Sequence, residues 1–189
     1  MQKNEKPFVL AIILFVITAV VALLLAYTNS VTWNKIEENT AKEQNEARMA
    51  VMANATEFEK LDTELAEDGI VTEIYAGKNA SGELVGYCVG VAPNGFGGAI
   101  EMMVGVKPDE TLTGIKIVSL SETPGLGSKA QEPKFKDQFN DKSVKEPLTV
   151  MKSGTAKDNE IVAISGATIS SNAVVSGVNA AAQAVKNLK

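Results

Sequence analysis

Two short segments of this sequence carry the hydroxyl groups and glycines that could hold an anion. The segment ISGATISS, residues 164–171, places four hydroxyl side chains around a Gly-Ala step. The segment SETPGLGSKA, residues 121–130, places a proline and two glycines directly after a strand-like run. Hydroxyls cap helices and contact phosphates, and glycines let a ligand approach the backbone. Each segment alone is also explained as an ordinary turn at a helix entrance.

Composition excludes several classes of site. The chain of 189 residues has one cysteine, Cys88, and no histidine. It therefore cannot by itself build a four-cysteine iron–sulfur site, a histidine zinc site, an internal disulfide or a Ser-His-Asp triad. The formal net charge of -5 and the lack of a basic patch argue against nucleic acid as a partner. We expect an organic redox cofactor, if any, with no metal site and no catalytic side chain.

The hydroxyl row precedes a predicted C-terminal helix. Apolar residues in NAVVSGVNAAAQAVKNLK recur at helical spacing, at Val174, Val178, Ala181, Val185 and Leu188. Either Ser170 or Ser171 is the expected N-cap of this helix. The row therefore lies where a strand passes into a helix N-terminus, and free N–H groups with the helix dipole make such a position suitable for a phosphate.

From residue 69 onward, short β-prone runs alternate with turn sequences. Turn residues at such close intervals predict an antiparallel meander. In TGIKIVSL, Ile115 and Ile117 alternate with Lys116 and Val118, which predicts a sheet covered largely on one face. A helical piece at 130–139 and two more strand-like runs complete the domain. The predicted strands are IVTEIY, LVGYCVGV, AIEMMVGV, TGIKIVSL, PLTVM and EIVAIS.

The N-terminal region is typical of a membrane anchor. Residues 8–27 carry no charge, and twenty helical residues span about 30 Å, the thickness of the hydrocarbon core. A cleaved signal peptide is the alternative, but its apolar stretch is usually only about 7–15 residues long. Lys3 and Lys6 precede the span, and the next basic residue is Lys35. This bias predicts a cytoplasmic N-terminus at residues 1–7 and an extracytoplasmic remainder.

Residues 28–68 are predicted to form a spacer helix between the anchor and the sheet. The stretch WNKIEENTAKEQNEARMAVMANATEFEKLD is charged, lacks glycine and proline, and has apolar residues at mostly helical spacing. The predicted fold class is therefore α+β. A single N-terminal transmembrane helix and a spacer helix precede an antiparallel-sheet domain at residues 69–189 that ends in a helix. Membrane lipid is the first expected partner.

The order of these parts, with ETPGLG after the sheet and SGATISS entering the last helix, resembles the FMN-binding domain proteins over essentially the whole chain. Within them the chain resembles the G subunits of Rnf electron-transport complexes, which are related to the C subunits of sodium-translocating NADH:quinone reductases. The resemblance implies a cell-membrane protein that relays electrons through FMN. The complex would oxidise ferredoxin, reduce NAD+ and transport sodium ions or protons. Its other subunits are the implied partners.

The resemblance also implies roles for individual residues. Thr168, which ends SGAT, is implied to carry FMN through a phosphoester. A separate flavin transferase would form this bond from FAD with a magnesium ion, and AMP would leave. Ser165 and Ser170 are the candidate phosphate contacts. The remaining expected cofactor-binding residues are Gly166, Ala167, Ile169, Glu122, Thr123, Gly125, Leu126 and Gly127.

One position departs from the attachment motif of that family. The aspartate that usually stands three residues before Ser165 is replaced by Val162, and the nearest acids are Asp158 and Glu160. This departure bears on covalent attachment more than on flavin binding. Two alternatives stay open: an extracytoplasmic FMN-carrying reductase outside an Rnf complex, and a cofactor-free anchored binding protein whose two loops are only turns.

Overall fold

The computed structural model describes residues 7–63 and 69–188, and therefore leaves out parts of the predicted cytoplasmic N-terminus and of the predicted spacer. The chain divides into two units, Met1–Lys42 and Glu43–Lys189. The helices are α1 (Pro7–Val51), α2 (Pro133–Lys136) and α3 (Thr168–Asn187), with 3-10 turns at Gly127–Gln131 and Asp137–Phe139. The strands are β1 (Glu57–Lys60), β2 (Val71–Lys78), β3 (Leu84–Val91), β4 (Ile100–Val106), β5 (Leu112–Leu120), β6 (Thr149–Met151) and β7 (Glu160–Val162).

Among the described residues, the first unit consists of the part of α1 that ends at Lys42. This helix is long and apolar enough to cross a membrane, which makes it the candidate membrane span among the described residues. Its few hydroxyls donate to carbonyls one turn back, as Thr18 does to Phe15 and Thr28 does to Leu24, both at 2.9 Å. Such bonds satisfy polar side chains that would otherwise lack partners in lipid. The predicted N-terminal apolar helix is confirmed.

The helix ends earlier than the predicted spacer. It ends at Val51, and a turn follows in which the Ala55 N–H donates to the Met52 carbonyl at 3.0 Å. Residues 57–60, which the helical spacing assigned to the spacer, form β1 on the free edge of β2. The reason lies in tertiary structure. The edge N–H and C=O groups of β2 gain hydrogen-bond partners from β1, and these bonds outweigh the preference of a short charged segment for a helix.

A five-stranded antiparallel sheet in the order β1-β2-β3-β4-β5 forms the centre of the second unit. It confirms the predicted meander. Ile115 and Ile117 of β5 are buried on one face, as predicted, and join the core formed with α3. The stripe on α3 is also confirmed, because Val174, Val178 and Val185 are fully buried.

The opposite face of the sheet is covered as well, which the alternation in β5 did not predict. Ala47 and Val51 from the end of α1 pack with Met52, Cys88 and Met103 in a second apolar cluster. Val118 of β5, expected on the less covered face, packs against this cluster. Ala47 and Val51 at the end of α1 are therefore part of the domain core, and the compact unit begins well before residue 69.

The two short strands before α3 pair with each other in parallel. Gln138 holds β7 by a two-way bond: its side chain accepts from the Val162 N–H at 2.8 Å and donates to the Val162 carbonyl at 3.2 Å. Asn179 of α3 makes the same kind of bond to Leu148, with both distances at 2.9 Å. Gln138 thereby fixes β7, which leads into the hydroxyl row, and Asn179 fixes the residue before β6.

The buried thiol of Cys88 gives a direct test of this packing. Burial raises its pKa to about 12, and the nearby Arg48 guanidinium only partly opposes that shift. A pKa of about 12 leaves roughly one thiol in ten thousand ionised at pH 8, and the thiolate is the reactive form. We expect iodoacetamide at pH 8 to leave the folded full-length chain unlabelled in detergent and to label it fully in denaturant. Rapid labelling of the folded chain would contradict the packing.

Candidate functional site

The two segments singled out in the sequence lie side by side at the N-terminus of α3. They form the walls of a cleft of about 370 Å³. A cleft of this size falls within the range of small-molecule sites. Its lining residues are Phe96, Glu122, Thr123, Leu126, Gly127, Gly166, Ala167, Thr168, Ile169 and Ser170.

Glu122 joins the segments that surround the cleft. One of its carboxylate oxygens, Oε1, accepts the backbone N–H groups of Phe96 at 2.7 Å and Gly97 at 3.2 Å. The other, Oε2, accepts the Ser170 hydroxyl at 2.8 Å. Glu122 is 7% exposed and Ser170 is 1% exposed. A buried carboxylate with three donors is well satisfied, so Glu122 fixes three pieces of backbone relative to one another.

Gly127 shows how closely these parts approach. A Cβ atom at this position would overlap the Glu122 carboxylate and the Ser170 hydroxyl. Only glycine leaves room for the bond between them. Gly127 was predicted as a cofactor contact, and in the structure it also allows the two motifs to meet.

The entrance of α3 differs from the predicted capping. The helix begins at Thr168, its N-cap is Ala167, and no side chain caps it. The prediction of Ser170 or Ser171 as N-cap is wrong, because both residues lie inside the first turn. Ser171 instead accepts the Ile164 N–H and donates to the Ala167 carbonyl, each at 2.9 Å. Ser171 therefore links the segment that follows β7 to the first turn of α3.

The first turn of α3 leaves backbone donors without partners. The N–H groups of Thr168, Ile169 and Ser170 have no acceptor within the described part of the chain. Three free N–H groups at the positive end of a 20-residue helix are the arrangement that binds phosphate elsewhere. No lysine or arginine is among the residues that line the cleft. An anion here would therefore be held by backbone groups.

The predicted site residues divide between two cavities. Ser170 reaches the cleft, but its hydroxyl hydrogen is engaged by Glu122. Ser165 is exposed and lines a neighbouring cavity of about 420 Å³, together with Lys129 and Val162. Gly125 does not line the cleft, and its N–H donates to the Ser128 hydroxyl at 2.9 Å.

The cleft has an exposed hydroxyl and an apolar rim. The Thr168 side chain is exposed at the helix entrance, and Thr123 is exposed on the opposite segment. Leu126 and Ile169 leave 42% and 56% of their surface exposed beside the cleft. Phe96 was not predicted as a site residue, because it lies in one of the turn sequences between the predicted strands. The feature of the sequence that could have indicated Phe96 is an aromatic residue between two glycines.

The residues present fit FMN in their chemistry. Free helix N–H groups suit its phosphate, and the exposed apolar side chains suit a flat ring system. No cluster of three or more potential metal ligands occurs among the described residues.

A family model matches the part of the chain that contains this cleft, and a solved structure is similar to most of the chain. A family model described as "FMN-binding domain" matches residues 95–183, a range that includes both motifs. The solved structure of the C subunit of the Na(+)-translocating NADH-quinone reductase from Parabacteroides distasonis is similar in fold, with a TM-score of 0.61 and 21% identity. That likeness covers 84% of this chain and 96% of the other.

Curated relatives extend over nearly the whole chain. The G subunit of the Na(+)-translocating ferredoxin:NAD(+) oxidoreductase complex of Acetobacterium woodii is 45% identical, over 96% of this chain and 92% of the relative. The G subunit of the ion-translocating oxidoreductase complex of Methanosarcina acetivorans is 37% identical, over 96% of this chain and 95% of the relative. The chain belongs to the family of G subunits of ion-translocating oxidoreductase complexes, as the resemblance of its two motifs implied.

Proposed function

We propose that this chain is the membrane-anchored flavoprotein subunit of an ion-translocating ferredoxin:NAD+ oxidoreductase complex. In this proposal it relays electrons between neighbouring subunits and does not turn over a soluble substrate alone. The proposal rests on relatives that carry this name and on the match to the FMN-binding domain family. The single structural observation that carries it is the cleft in which exposed Thr168, at the head of α3, faces the ETPGLG segment.

The residues of the cleft have distinct tasks in this proposal. When bound, FMN supplies the electron-transfer chemistry, and the protein supplies position and electrostatics. The free N–H groups of the first turn of α3 hold the phosphate, and Leu126 and Ile169 offer apolar surface to the ring. Glu122 contacts backbone and Ser170, and so acts by positioning the two motifs.

Covalent attachment is the finer part of the proposal. Thr168 would supply the hydroxyl oxygen that bonds to the phosphorus of the FMN half of FAD; the bond between the two phosphates would break, AMP would leave, and the hydroxyl proton would pass to the transferase. A flavin transferase performs this step, which explains why the chain needs no histidine base of its own. The exposure of Thr168 supports access by such an enzyme. Val162 stands where the family usually has aspartate, but its backbone is held in place by Gln138.

The proposed location is the cell membrane, with the N-terminus in the cytoplasm and the FMN-binding domain outside. The candidate span in α1 and the two lysines before it support this orientation. A phosphoester tether would keep FMN on a domain that faces a space with little free flavin.

Replacing Thr168 tests the attachment. Protein isolated from its native membrane should carry an added mass of FMN less one water, and Thr168→Ala should lack it. Ser165→Ala is the matched control, because Ser165 is an exposed hydroxyl of the same segment that lies outside the cleft lining. Intact-mass spectrometry measures both. Loss of the adduct in Ser165→Ala with retention in Thr168→Ala would contradict the assignment.

Replacing Glu122 tests the link between the motifs. Glu122→Ala leaves two N–H groups and a hydroxyl without their acceptor, so we expect a loss of about 3 kcal/mol in unfolding free energy. Glu122→Gln keeps an acceptor for the N–H groups and should lose about 1 kcal/mol. Urea denaturation of the full-length chain in detergent measures these changes. Glu101→Gln, at an exposed position, is the control, and equal stability of all three variants would refute the link.

A cysteine placed in the loop between β2 and β3 tests the orientation. Ser81 is exposed and native Cys88 is buried, so Ser81→Cys adds the reporting thiol. We expect a membrane-impermeant maleimide to label Ser81→Cys in intact cells. Labelling only after the cells are opened would place the domain in the cytoplasm.

A further inference from the structure

Exposed apolar side chains of the second unit are concentrated at the cleft. Five large apolar side chains are strongly exposed among the described residues of Glu43–Lys189: Met49, Leu84, Phe96, Leu126 and Ile169. Three of these five, Phe96, Leu126 and Ile169, line the cleft. Phe96 is the most exposed of them at 70%. Single exposed apolar residues need no explanation, but three around one cleft indicate an apolar ligand surface.

The backbone of Phe96 is rigidly held although its ring is exposed. The residues between β3 and β4 form a tight hairpin in which the Gly95 N–H donates to the Gly98 carbonyl at 2.8 Å. The Ile100 N–H donates to the Pro93 carbonyl at 2.9 Å. The Phe96 N–H is bound by Glu122. The backbone that carries the exposed ring is therefore fixed by hydrogen bonds.

The two glycines beside Phe96 allow this hairpin to lie directly against the ETPGLG segment. A Cβ atom at Gly95 would overlap the Glu122 carboxylate, and one at Gly97 would overlap the Ser121 carbonyl. Because side chains are excluded at both positions, the hairpin lies flat on residues 121–122. Phe96, between them, is the residue of this turn whose side chain reaches the cleft.

The same carboxylate holds Phe96 and the first turn of α3. Glu122 Oε1 accepts the Phe96 N–H, while Oε2 accepts the hydroxyl of Ser170, two residues after Thr168. The position of the phenyl ring is therefore coupled to the position of the attachment residue through a single buried side chain. An exposed phenyl ring keeps its apolar surface in water, and a bound apolar ring would cover that surface.

We propose that Phe96 is a cofactor-contacting residue that packs its ring against the isoalloxazine of FMN. This inference rests on the proposed function, since it takes FMN as the occupant of the cleft. Phe96 thus adds a third segment, the β3–β4 hairpin, to the two motifs that form the site. It holds the ring system from the side of the sheet, whereas Thr168 holds the phosphate from the side of α3.

The test introduces a fluorescence reporter at the contact. Tryptophan quenches flavin fluorescence by electron transfer when the two rings are in van der Waals contact. We expect Phe96→Trp in the full-length chain to lower flavin fluorescence severalfold relative to wild type at equal flavin content. Leu84→Trp is the matched control, because Leu84 is also an exposed apolar residue but begins β3, at the opposite end from the hairpin. It should leave the fluorescence near the wild-type value.

A second variant measures shielding without adding a new ring. Phe96→Ala should roughly double the iodide quenching constant of the bound flavin, because one face of the ring loses its cover. Leu84→Ala should leave it unchanged. Both measurements use protein whose flavin content is set by intact mass or, where no adduct is present, by saturation with added FMN.

The outcomes separate the inference from the proposed function. Flavin present, with fluorescence and iodide quenching unchanged in both Phe96 variants, would overturn the contact and leave the flavoprotein assignment intact. Flavin that is held without a covalent adduct, yet quenched in Phe96→Trp, would support the contact and overturn the attachment at Thr168. A chain that neither carries nor binds FMN would overturn both.

Discussion

The site depends on the buried carboxylate of Glu122. It accepts two N–H groups from the β3–β4 hairpin and one hydroxyl from the first turn of α3, and it belongs itself to the ETPGLG segment. A buried charge is tolerated only when hydrogen bonds replace its hydration, so all three segments must be in place together. Gly127 is needed at its position because a larger residue would separate the carboxylate from Ser170. Two motifs that lie far apart in the chain thereby become one cleft.

The sheet and helix around the site explain its rigidity. Both faces of the five-stranded sheet are covered, one by α3 and the other by the last turns of α1. Gln138 and Asn179 fasten the short parallel strands by two-way amide bonds to backbone, and Ser171 fastens the end of that region to α3. The backbone that presents Thr168 is thus fixed on several sides. A cofactor site for electron transfer benefits from such preorganisation, because the ring must stay at a constant position relative to its partners.

Much of this fold was predictable from periodicity. The meander followed from alternating runs such as TGIKIVSL, and α3 followed from its regular apolar stripe. Strand β1 was not predictable in this way, because EFEK is short and charged and gains its structure only by pairing with the edge of β2. The same limit explains the second covered face, since nothing local shows that residues 43–51 pack on the sheet.

Within the site, the motifs were predictable and their connections were not. The N-cap was predicted wrongly because Ser170 and Ser171 have tertiary partners that outweigh local capping. Phe96 was missed because its position depends on the Glu122 bond, which joins residues 26 apart. Local patterns do not encode such bonds between distant segments.

The most direct test of FMN carried by Thr168 is tryptic digestion of protein from the native membrane, followed by fragmentation of the peptide spanning residues 158–186. That peptide follows Lys157, ends at Lys186 and contains every hydroxyl of the SGATISS segment. We expect the mass of FMN less one water to be localised to Thr168. Localisation of the flavin to another hydroxyl, or an unmodified peptide from protein with a full flavin spectrum, would contradict this attachment.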